Sequence, residues 1–559
     1  MTLQSMPLDS PNEALCQDWW RSAIIYQVYI RSFRDTNGNG IGDLKGVIEG
    51  LDYIASLGVD GVWISPFYKS PQKDFGYDIA DFRVIDPLFG TMEDFMTLLD
   101  AAHKRGLKLL LDFIPCHTST EHPWFLESRQ SRDNPKADWY VWAEKSPDGT
   151  APNNWLSSFG GTAWEWEPQR AQYFYHPFLP TQPALNLHND EVLEHLLNEM
   201  RFWTDIGVDG FRIDAAQCLT WDRDLRSNPP IGKGDPDALI GGGPTNPFAS
   251  QKHIFDRHAE GSDRVLSRFR DFADEVGCVL IGEIADIDTI ASVPDFTQNG
   301  RRLHAAYDFA LINCHPEVDT ITAQLIRREN QLGDGWLYNV FTNHDSIRAV
   351  SNLTHFAVER FRPEAAKLLL FMQMTLKGGC IVYQGEELGL PHPNLNYDDI
   401  VDPWAKAFWP TFKGRDGART PFPWADRPHG GFTTGKPWLR FPDEHRALNA
   451  EEQGRDDESV LSFFRAFTLW RKQQPVLQFG SEAMSRAERA PVITWRRIYA
   501  GQERRVIVNF STDNAFLPLE PEWKPMKAPG CVKARTAHGL ELGPLQFAVM
   551  ESKPDIGNR

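Results

Sequence analysis

The chain has 559 residues, a formal net charge of −18 and ordinary shares of hydrophobic (41%) and charged (24%) residues. This length allows roughly three or four domains around a large core, and the composition excludes a disordered or fibrous chain. The acidic balance argues against non-specific nucleic-acid binding, which needs a basic face. Nineteen Trp and 35 Phe supply flat surfaces that suit a neutral, sugar-like ligand, although core packing accounts for most of them.

The N-terminal residues 1–20 lack a basic patch followed by an apolar run, so the sequence predicts no signal peptide. No stretch approaches the roughly 18 apolar residues that a membrane span needs. The seven cysteines are scattered and never stand in C-x-x-C spacing, which excludes a zinc knuckle and favours a reducing compartment. We therefore expect a cytoplasmic protein whose partner is neither a membrane nor a nucleic acid.

Short apolar runs alternate with longer helical patterns along most of the chain. The apolar spacing of residues 91–106 and 191–207 predicts two crossover helices, and each segment ends at a glycine. The near-continuous apolar runs are typical of parallel strands that are buried on both faces. The predicted strands are 23–30, 61–64, 107–113, 208–213, 278–281, 338–342 and 379–384.

The repeated βα units predict an α/β fold with a (β/α)8 TIM barrel, and a doubly wound open sheet is the alternative. Residues 117–187 are too irregular and too rich in Trp, Pro, Asn and Gly for one crossover helix, which indicates an inserted domain after the third strand. After about residue 475, short strands with turn signals predict a C-terminal antiparallel β domain. The predicted domains are a barrel built from 1–116 and 188–475, an inserted domain at 117–187 and a C-terminal β domain at 476–559.

Three carboxylates stand at or just beyond the ends of predicted strands: Asp214, Glu283 and Asp345. Catalytic residues of a barrel belong to the carboxyl ends of its strands, so the three side chains can meet over one mouth. Two carboxylates that flank an acetal are what glycoside hydrolysis requires, one as nucleophile and one as general acid/base. A single acid at a strand end could instead cap the next helix, but that interpretation weakens when three acids occupy corresponding positions.

Nearly the whole chain resembles one family of enzymes. The sequence is similar to the α-amylase family of retaining glycoside hydrolases, in the branch of α-glucosidases, oligo-1,6-glucosidases and sucrose isomerases. Several motifs in the family's order carry the resemblance, which makes it specific. The central ones are Gly210–Asp214, Ile281–Glu283 and Asn343–Asp345.

The resemblance implies a role for each residue of the central motifs. Asp214 would form the covalent glucosyl intermediate, with Arg212 holding its carboxylate ionised by charge pairing. Glu283 would protonate the leaving oxygen and then activate water. Asp345 would bind sugar hydroxyls in the distorted transition state, and His344 would support it. The two reacting carboxyls of such a retaining enzyme should lie about 5–5.5 Å apart.

Further matches imply a clamp for the non-reducing end of the substrate. Tyr77 would be a stacking platform, Asp78 would grip distal hydroxyls, and His117 would contact the 6-hydroxymethyl group. Arg415, in preference to Arg419, would pair with Asp78. The alternatives are that Tyr77 is a core aromatic residue and that either arginine forms a surface ion pair. A clamp of this kind closes the pocket behind one glucose, which implies exo action on short substrates.

The sequence departs from the family pattern at several places. Cys116 replaces the usual Asn before the histidine of the first motif, Ala184 replaces a carboxylate, and residues 346–348 replace Asn-Pro-Arg or Gln-Pro-Arg. Ala215, directly after the expected nucleophile, is neither the Val associated with α-1,6 linkages nor the Thr associated with α-1,4 linkages. An alanine at this position also occurs in family members that act on sucrose or trehalose. Residues 431–439 resemble the branch that contains sucrose isomerases and isomaltulose-handling glucosidases.

We therefore expect a retaining, exo-acting α-glucosidase for short α-glucosides such as sucrose isomers and maltose-type or isomaltose-type disaccharides. A transglucosylase or sucrose isomerase that uses the same intermediate is the alternative. Residues 394–412 contain no arginine where sucrose isomerases carry an arginine-rich loop, which favours hydrolysis. A non-catalytic sugar-binding scaffold is disfavoured because the three acids are present.

Residues 35–43 form a separate motif in which oxygen-bearing side chains alternate with glycines. Hard cations such as Ca²⁺ prefer oxygen ligands in this pattern, as in an EF-hand-like loop. An Asn-Gly turn without a metal and occupation by Mg²⁺ are the alternatives. The family resemblance implies a structural calcium site with Asp35, Asn37, Asn39, the carbonyl of Ile41 and Asp43 as ligands.

Overall fold

The computed structural model describes residues 18–232, 245–286, 288–314, 317–352, 359–486 and 491–552. The segment for which no signal peptide is predicted lies almost wholly outside these residues, as does Cys16. None of the helices in these ranges combines the length and the apolar character that crossing a membrane requires.

Eight parallel strands form a nearly closed barrel, as predicted. In the sheet they follow the order β6-β5-β4-β3-β2-β1-β8-β7, and a parallel bridge between Ala306 and Leu337 brings β6 beside the start of β7. Almost every strand residue is buried, because the barrel interior covers one face and the helices cover the other. The strands are β1 (Ile24–Val28), β2 (Gly61–Ile64), β3 (Lys108–Phe113), β4 (Gly210–Ile213), β5 (Val279–Ile284), β6 (Ala305–Asp308), β7 (Tyr338–Asn339) and β8 (Gly379–Tyr383).

The sequence predicted seven of these strands and missed β6. The four residues of β6 are Ala-Ala-Tyr-Asp, with no β-branched side chain, so the composition does not distinguish them from a loop. The interval between the predicted strands at 278–281 and 338–342 is long enough for a second βα unit. This length is the sequence signal that could have revealed β6. The strand predicted at 338–342 ends earlier, at Asn339.

Helices connect the barrel strands. The two predicted helices are Met92–Lys104, which Thr91 caps, and Asp190–Ile206, which ends at Gly207 with a left-handed φ of 118°. The further α-helices are Leu44–Ser56, Pro123–Ser128, Ser262–Val276, Thr289–Thr297, Val318–Gln331, Ala349–Asn352, Arg362–Thr375, Pro403–Phe408, Asp443–Arg446, Ala450–Gln453, Val460–Lys472 and Pro475–Phe479.

Small antiparallel sheets lie between the second and fourth barrel strands. Residues 117–187 contain a three-stranded sheet that packs on Trp and Tyr side chains, and the domain limits assigned to this region stay a prediction. A bridge between His117 and Ala184 ties the two ends of the region together. The strands are Tyr68–Lys69 paired with Asp81–Ile85, and Trp142–Ala143, Trp164–Glu167 and Gln172–Tyr175 in the three-stranded sheet.

The C-terminal residues form an antiparallel β domain, which confirms the prediction. Its sheet packs on the barrel helix Arg362–Thr375, where the rings of Phe371 and Phe547 stack with centroids 4.2 Å apart. The five-stranded sheet contains Ser481–Arg486, Val492–Tyr499, Gln502–Asn509, Trp523–Pro525 and Phe547–Ser552, and a separate pair contains Ala515–Pro518 and Gly539–Leu542.

Candidate active site

Three acids meet at the carboxyl ends of the barrel strands. Asp214 directly follows β4, Glu283 lies near the end of β5, and Asp345 lies in the segment after β7. All three line one cavity of about 320 Å³, a size typical of small-ligand sites. The barrel therefore brings together the acids that the sequence singled out.

Arg212 on β4 is the electrostatic centre of this site. Its buried guanidinium contacts Asp214 at 2.6 Å and Glu283 at 2.6 Å through its two terminal nitrogens. It also contacts Asp112, at the end of β3, at 2.7 Å. The planar donor fork of arginine suits several carboxylates at once, so Arg212 fixes the relative positions of the acids.

Tyr307 on the strand that the sequence missed completes this network. Its hydroxyl donates to Glu283 Oε1 at 3.0 Å and accepts a hydrogen bond from Arg212 Nη2 at 2.9 Å. The backbone N–H of Ala215 donates to the other Glu283 oxygen at 3.2 Å. Glu283 is thus held from three sides.

Burial dominates the proton affinities of the carboxyl groups around Arg212. It raises the pKa of Asp214 and of Glu283 to about 7, against the opposing charge of Arg212. Burial likewise raises the pKa of Asp112 to about 6. Three buried carboxyl groups face one guanidinium, so the cluster keeps a proton near neutrality. The ionisation of Asp214 expected from its pairing with Arg212 stays a prediction.

The pKa of Asp345 is shifted in the opposite direction. Burial alone would raise its pKa, but the permanent positive charges of Arg419 and Arg415 hold the pKa of Asp345 well below its usual range. Arg419 forms an ion pair with Asp345 and donates to the carbonyl of His344 at 2.9 Å. This acid is a permanent anion at the cavity wall.

His344 links Asp345 to Tyr77, and it does not itself line the cavity. The Tyr77 hydroxyl donates to Asp112 at 2.9 Å, so it accepts at 2.6 Å from Nε2–H of His344. Gln27 donates to Nδ1 at 2.8 Å, and burial lowers the pKa of His344 to about 3. His344 is therefore neutral, with its proton on Nε2. The ring of Tyr77 lies parallel to that of His344, with centroids 5.4 Å apart, and lines the cavity.

The expected pair between Asp78 and Arg415 is wrong. Arg415 contacts Asp74 at 2.8 Å and Asp402 at 2.9 Å. Asp78 is fully buried, away from the cavity, and accepts hydrogen bonds from Ser70 and from two backbone N–H groups of its own loop. Asp74, four residues earlier, lines the cavity instead.

His117 lines the cavity beside Tyr77. Its Nε2 donates to the Tyr77 carbonyl at 3.0 Å, and the thiol of Cys116 donates to its Nδ1 at 3.2 Å. Burial lowers the pKa of His117 to about 4 and raises that of Cys116 well above its usual value. The histidine is neutral and the cysteine is an unreactive thiol that fixes its tautomer.

Most of the remaining cavity wall consists of residues that the sequence motifs do not mark. Ala215, which adopts a left-handed φ of 43°, leaves space beside the acids, and Ala184 lies behind the wall on the bridge to His117. At the mouth, Asn313 and Ile347 are exposed, whereas the end near Asp74 is buried. Loop residues such as these have no fixed spacing from the strand motifs. The unmarked lining residues include Ser158, Phe159, Phe178, Gln217, Arg257, Ala285, Phe309, Trp404 and Phe412.

The loop 35–43 lies apart from the cavity. Asp35 and Asp43 are buried and accept hydrogen bonds from backbone N–H groups within and just after the loop, which folds it around its carboxylates. Thr433 also donates to Asp35, and the N–H of Trp438 donates to the carbonyl of Gly40 at 2.9 Å. Two carboxylates, two amide oxygens and a carbonyl in one compact loop fit the oxygen donor set that Ca²⁺ prefers.

Comparison with known proteins relates this chain to carbohydrate-active enzymes. The family model described as "Alpha amylase, catalytic domain" matches residues 27–480. A protein of Rhizobium meliloti (strain 1021) named "Probable alpha-glucosidase" is 42% identical over 531 residues, which cover 94% of this chain and 96% of that protein.

Two solved structures are also similar to this chain over nearly its whole length. The alpha-glucosyl transfer enzyme XgtA has a TM-score of 0.92 and 45% identity, covering 96% of this chain and 99% of that one. The trehalulose synthase MutB from Pseudomonas mesoacidophila MX-45 has a TM-score of 0.86 and 33% identity, covering 96% and 99%.

Proposed function

The chain belongs to the alpha-amylase family of glycoside hydrolases, and from that premise we propose that it is a retaining, exo-acting α-glucosidase for short α-glucosides. The observation that carries this proposal is the bridge that Arg212 forms between Asp214 and Glu283. One guanidinium that holds both acids favours the carboxyl separation of about 5–5.5 Å used for retention over the about 6.5–9.5 Å used for inversion.

In the proposed reaction, Glu283 and Asp214 have different roles. Glu283 donates its proton to the glycosidic oxygen while Asp214 attacks the anomeric carbon and the bond to the leaving group breaks. Glu283 then takes a proton from water, whose oxygen replaces Asp214 at the same carbon with net retention. The raised pKa of Glu283 supports its role as the acid near neutrality.

The buried end of the cavity supports exo action. Asp74 and Arg415 form an ion pair there, next to Tyr77 and His117. Donors and acceptors at a closed end suit the hydroxyls of one terminal glucose, and a longer chain could extend only toward the exposed mouth. This arrangement supports disaccharide-sized substrates, including the sucrose isomers, maltose-type and isomaltose-type sugars.

Transglucosylation through the same intermediate is the second candidate. The similarity to an alpha-glucosyl transfer enzyme and to a trehalulose synthase favours it, as does the apolar cavity wall that includes Phe159, Phe309 and Phe412. An apolar wall disfavours ordered water and leaves room for an acceptor hydroxyl.

The deciding experiment is a time-resolved product analysis with sucrose, isomaltulose, trehalulose, maltose and isomaltose. We expect free α-glucose as the first sugar released from the best substrate, seen by proton NMR before mutarotation. Asp214→Asn should lower the rate by several powers of ten, with Glu283→Gln as the second inactive control. Initial β-glucose would refute retention, and a new disaccharide that precedes free glucose would establish the transfer activity instead.

We also propose that loop 35–43 binds a structural Ca²⁺ ion, with Mg²⁺ as the competing ion. Asp35, Asn37, Asn39, the Ile41 carbonyl and Asp43 would hold it, and the ion would supply charge compensation within the loop.

A cytoplasmic location is a further part of the proposal. The six cysteines of the described residues are buried and form no disulfide bond, as in proteins of reducing compartments.

A further inference from the structure

Arg257 is a buried cation in the cavity wall that the proposed reaction does not use. Its side chain lines the cavity, and the residue is only 4% exposed. A charge in such a place is costly unless it is paired or hydrogen-bonded. A buried guanidinium in the cavity wall is therefore a candidate for ligand binding.

The contacts of Arg257 leave part of its donor capacity free. Nη2 donates to the hydroxyl of Ser158 at 2.6 Å, and Nη1 donates to the carbonyl of Ala285 at 3.1 Å. Among the described residues, no carboxylate forms an ion pair with it. A guanidinium carries five N–H donors, so several remain for a ligand in the cavity.

A chain of neighbouring side chains holds this guanidinium in place. It lies over the ring of Phe248, with its carbon 4.6 Å from the ring centroid. His253 stacks on the same Phe248 ring, with centroids 3.5 Å apart, and Asp256 forms a hydrogen bond with His253 Nδ1 at 2.8 Å.

 The guanidinium thus packs against the Phe248 ring, on which His253 also stacks. Packing and hydrogen bonds of this kind fix the rotamer of a functional side chain.

The location of Arg257 assigns it to one half of the cavity. Its acceptor Ala285 lies two residues after Glu283, the acid that faces the leaving oxygen in the proposed reaction. Gln217 accepts a hydrogen bond from the N–H of Ala285 at 3.2 Å and lines the same side. The glucose-binding groups Asp74 and Arg415 lie together in a separate cluster at the buried end. Arg257 therefore lies on the side of the cavity where the proposed reaction would place the leaving group.

We infer that Arg257 binds the hydroxyls of a neutral, polyhydroxylated leaving group and selects sugar aglycones over flat or alkyl ones. This inference rests on the proposed function. A phosphorylated aglycone is the competing ligand, since a guanidinium also suits phosphate. The acids Asp214, Glu283 and Asp345 in the same cavity would repel a dianion, and no lysine is among the residues that line it.

The test compares two leaving groups in wild type and Arg257→Gln. The substrates are the best disaccharide from the product analysis and p-nitrophenyl α-glucoside, whose leaving group has no sugar hydroxyls. We expect the ratio of kcat/KM for the disaccharide to kcat/KM for the aryl glucoside to fall by about tenfold to hundredfold, as for lost hydrogen bonds to a charged donor. Arg257→Lys should recover part of the ratio, because it keeps a cationic donor.

Controls separate this effect from a folding defect and from failure of the proposed function. Arg301→Gln changes an exposed arginine outside the site and should leave the ratio unchanged. Thermal unfolding and the affinity for 1-deoxynojirimycin, a mimic of the glucosyl part, should remain close to wild type in a correctly folded Arg257→Gln.

Each remaining outcome overturns the inference in a distinguishable way. An unchanged ratio in an active enzyme, or equal losses on both substrates, would show that Arg257 does not bind the leaving group. A wild-type preference for a 6-phosphorylated disaccharide that Arg257→Gln abolishes would replace the neutral ligand with phosphate. A wild type that cleaves neither substrate would refute the proposed function, and the inference would fall with it.

Discussion

The acids at the cavity differ in how folding changes their affinity for a proton. Glu283 is buried and its pKa rises to about 7, so the folded state holds a proton there that the unfolded chain releases above about pH 4.3. Stability from this group is present below that pH and is lost as the pH rises through about 7. Above neutrality an ionised, buried Glu283 destabilises the fold.

Replacing that acid by its neutral analogue should therefore stabilise the protein at high pH. We expect Glu283→Gln to raise the free energy of unfolding at pH 8 by about 2 kcal/mol relative to wild type, with the gain vanishing near pH 5. Urea denaturation at both pH values measures it. A gain that is equal at pH 5 and pH 8 would contradict the electrostatic cause.

Asp345 should show the opposite sign. Its pKa lies below the usual range, so its stabilising contribution is present above about pH 4 and disappears as the pH falls through the folded value. We expect Asp345→Asn to lower the free energy of unfolding at pH 7 by about 1–3 kcal/mol, since Arg419 and Arg415 lose their anion. The same denaturation series tests this, and a variant as stable as wild type at pH 7 would refute it.

At this scale the sequence predicted the strand-end acids better than the residues around them. Asp214 and Glu283 follow from strand position and motif, because the barrel fixes where a strand end points. Asp74 and Asp78 lie four residues apart in one loop, and spacing alone does not tell which carboxylate enters the cavity. Arg257 belongs to a loop with no fixed distance from any motif, so only the folded structure identifies it.

Among the elements, the loop that carries Asp74 and Tyr77 depends on a glycine. Gly76 has a left-handed φ of 110°, and a Cβ there would lie 2.9 Å from the carbonyl oxygen of Pro66. Such a contact with backbone displaces the loop, because the carbonyl has no rotamer to change.

We expect Gly76→Ala to lower kcat/KM by about tenfold or more, since a shift of even about 1 Å in positioned groups is costly. Gly149→Ala is the matched control: its φ is 88° and a Cβ there meets nothing within 4 Å. Both variants lose about 1–2 kcal/mol of stability to backbone strain, which chemical denaturation measures. Equal kcat/KM values in the two variants would show that the loop tolerates the displacement.

The acidic loop 35–43 gives a second prediction for an element. If the proposed ion holds this loop to residues 433–438, chelation should lower the unfolding temperature by a few degrees and Ca²⁺ should restore it. Asp35→Ala should abolish the response to Ca²⁺. Differential scanning calorimetry with and without chelator measures the shift, and Mg²⁺ in place of Ca²⁺ tests ion identity. A temperature that is the same in all conditions would contradict the proposed site.

The elements also show what a pattern of residues does and does not reveal. Helices with clear apolar periodicity and a capping residue, such as Met92–Lys104, are predictable to within a residue or two at each end. β6 is short and alanine-rich, and pairing with β5 rather than its own composition makes it a strand. Missing β6 also concealed Tyr307, whose hydroxyl supports Glu283.

For the whole molecule, the C-terminal domain and the barrel share one core. Arg497 is fully buried and donates to the carbonyls of Thr375 in the barrel and Gly480 at the junction, at 2.7 and 2.9 Å. Trp495 also donates to Thr375. Such contacts couple the two parts, so neither should unfold alone.

We expect a single calorimetric transition for the wild type. Arg497→Met should lower the free energy of unfolding by about 2–4 kcal/mol, because buried carbonyls lose their donors, while the transition stays single. Arg496→Met, at an exposed neighbouring position, is the control and should change stability little. Two resolved transitions in the wild type would show that the domains are independent.

The cavity is exposed near Ile347 and buried near Asp74, and this shape sets the order in which ligands would enter and leave it. In the proposed reaction, the glucosyl unit would enter first and bind deepest, so the aglycone would have to leave before glucose could. Water or an acceptor would then arrive by the route that the aglycone had vacated. Glucose should consequently compete with substrate for the empty enzyme, whereas the departing aglycone should meet the glucosylated enzyme and drive the reaction backward.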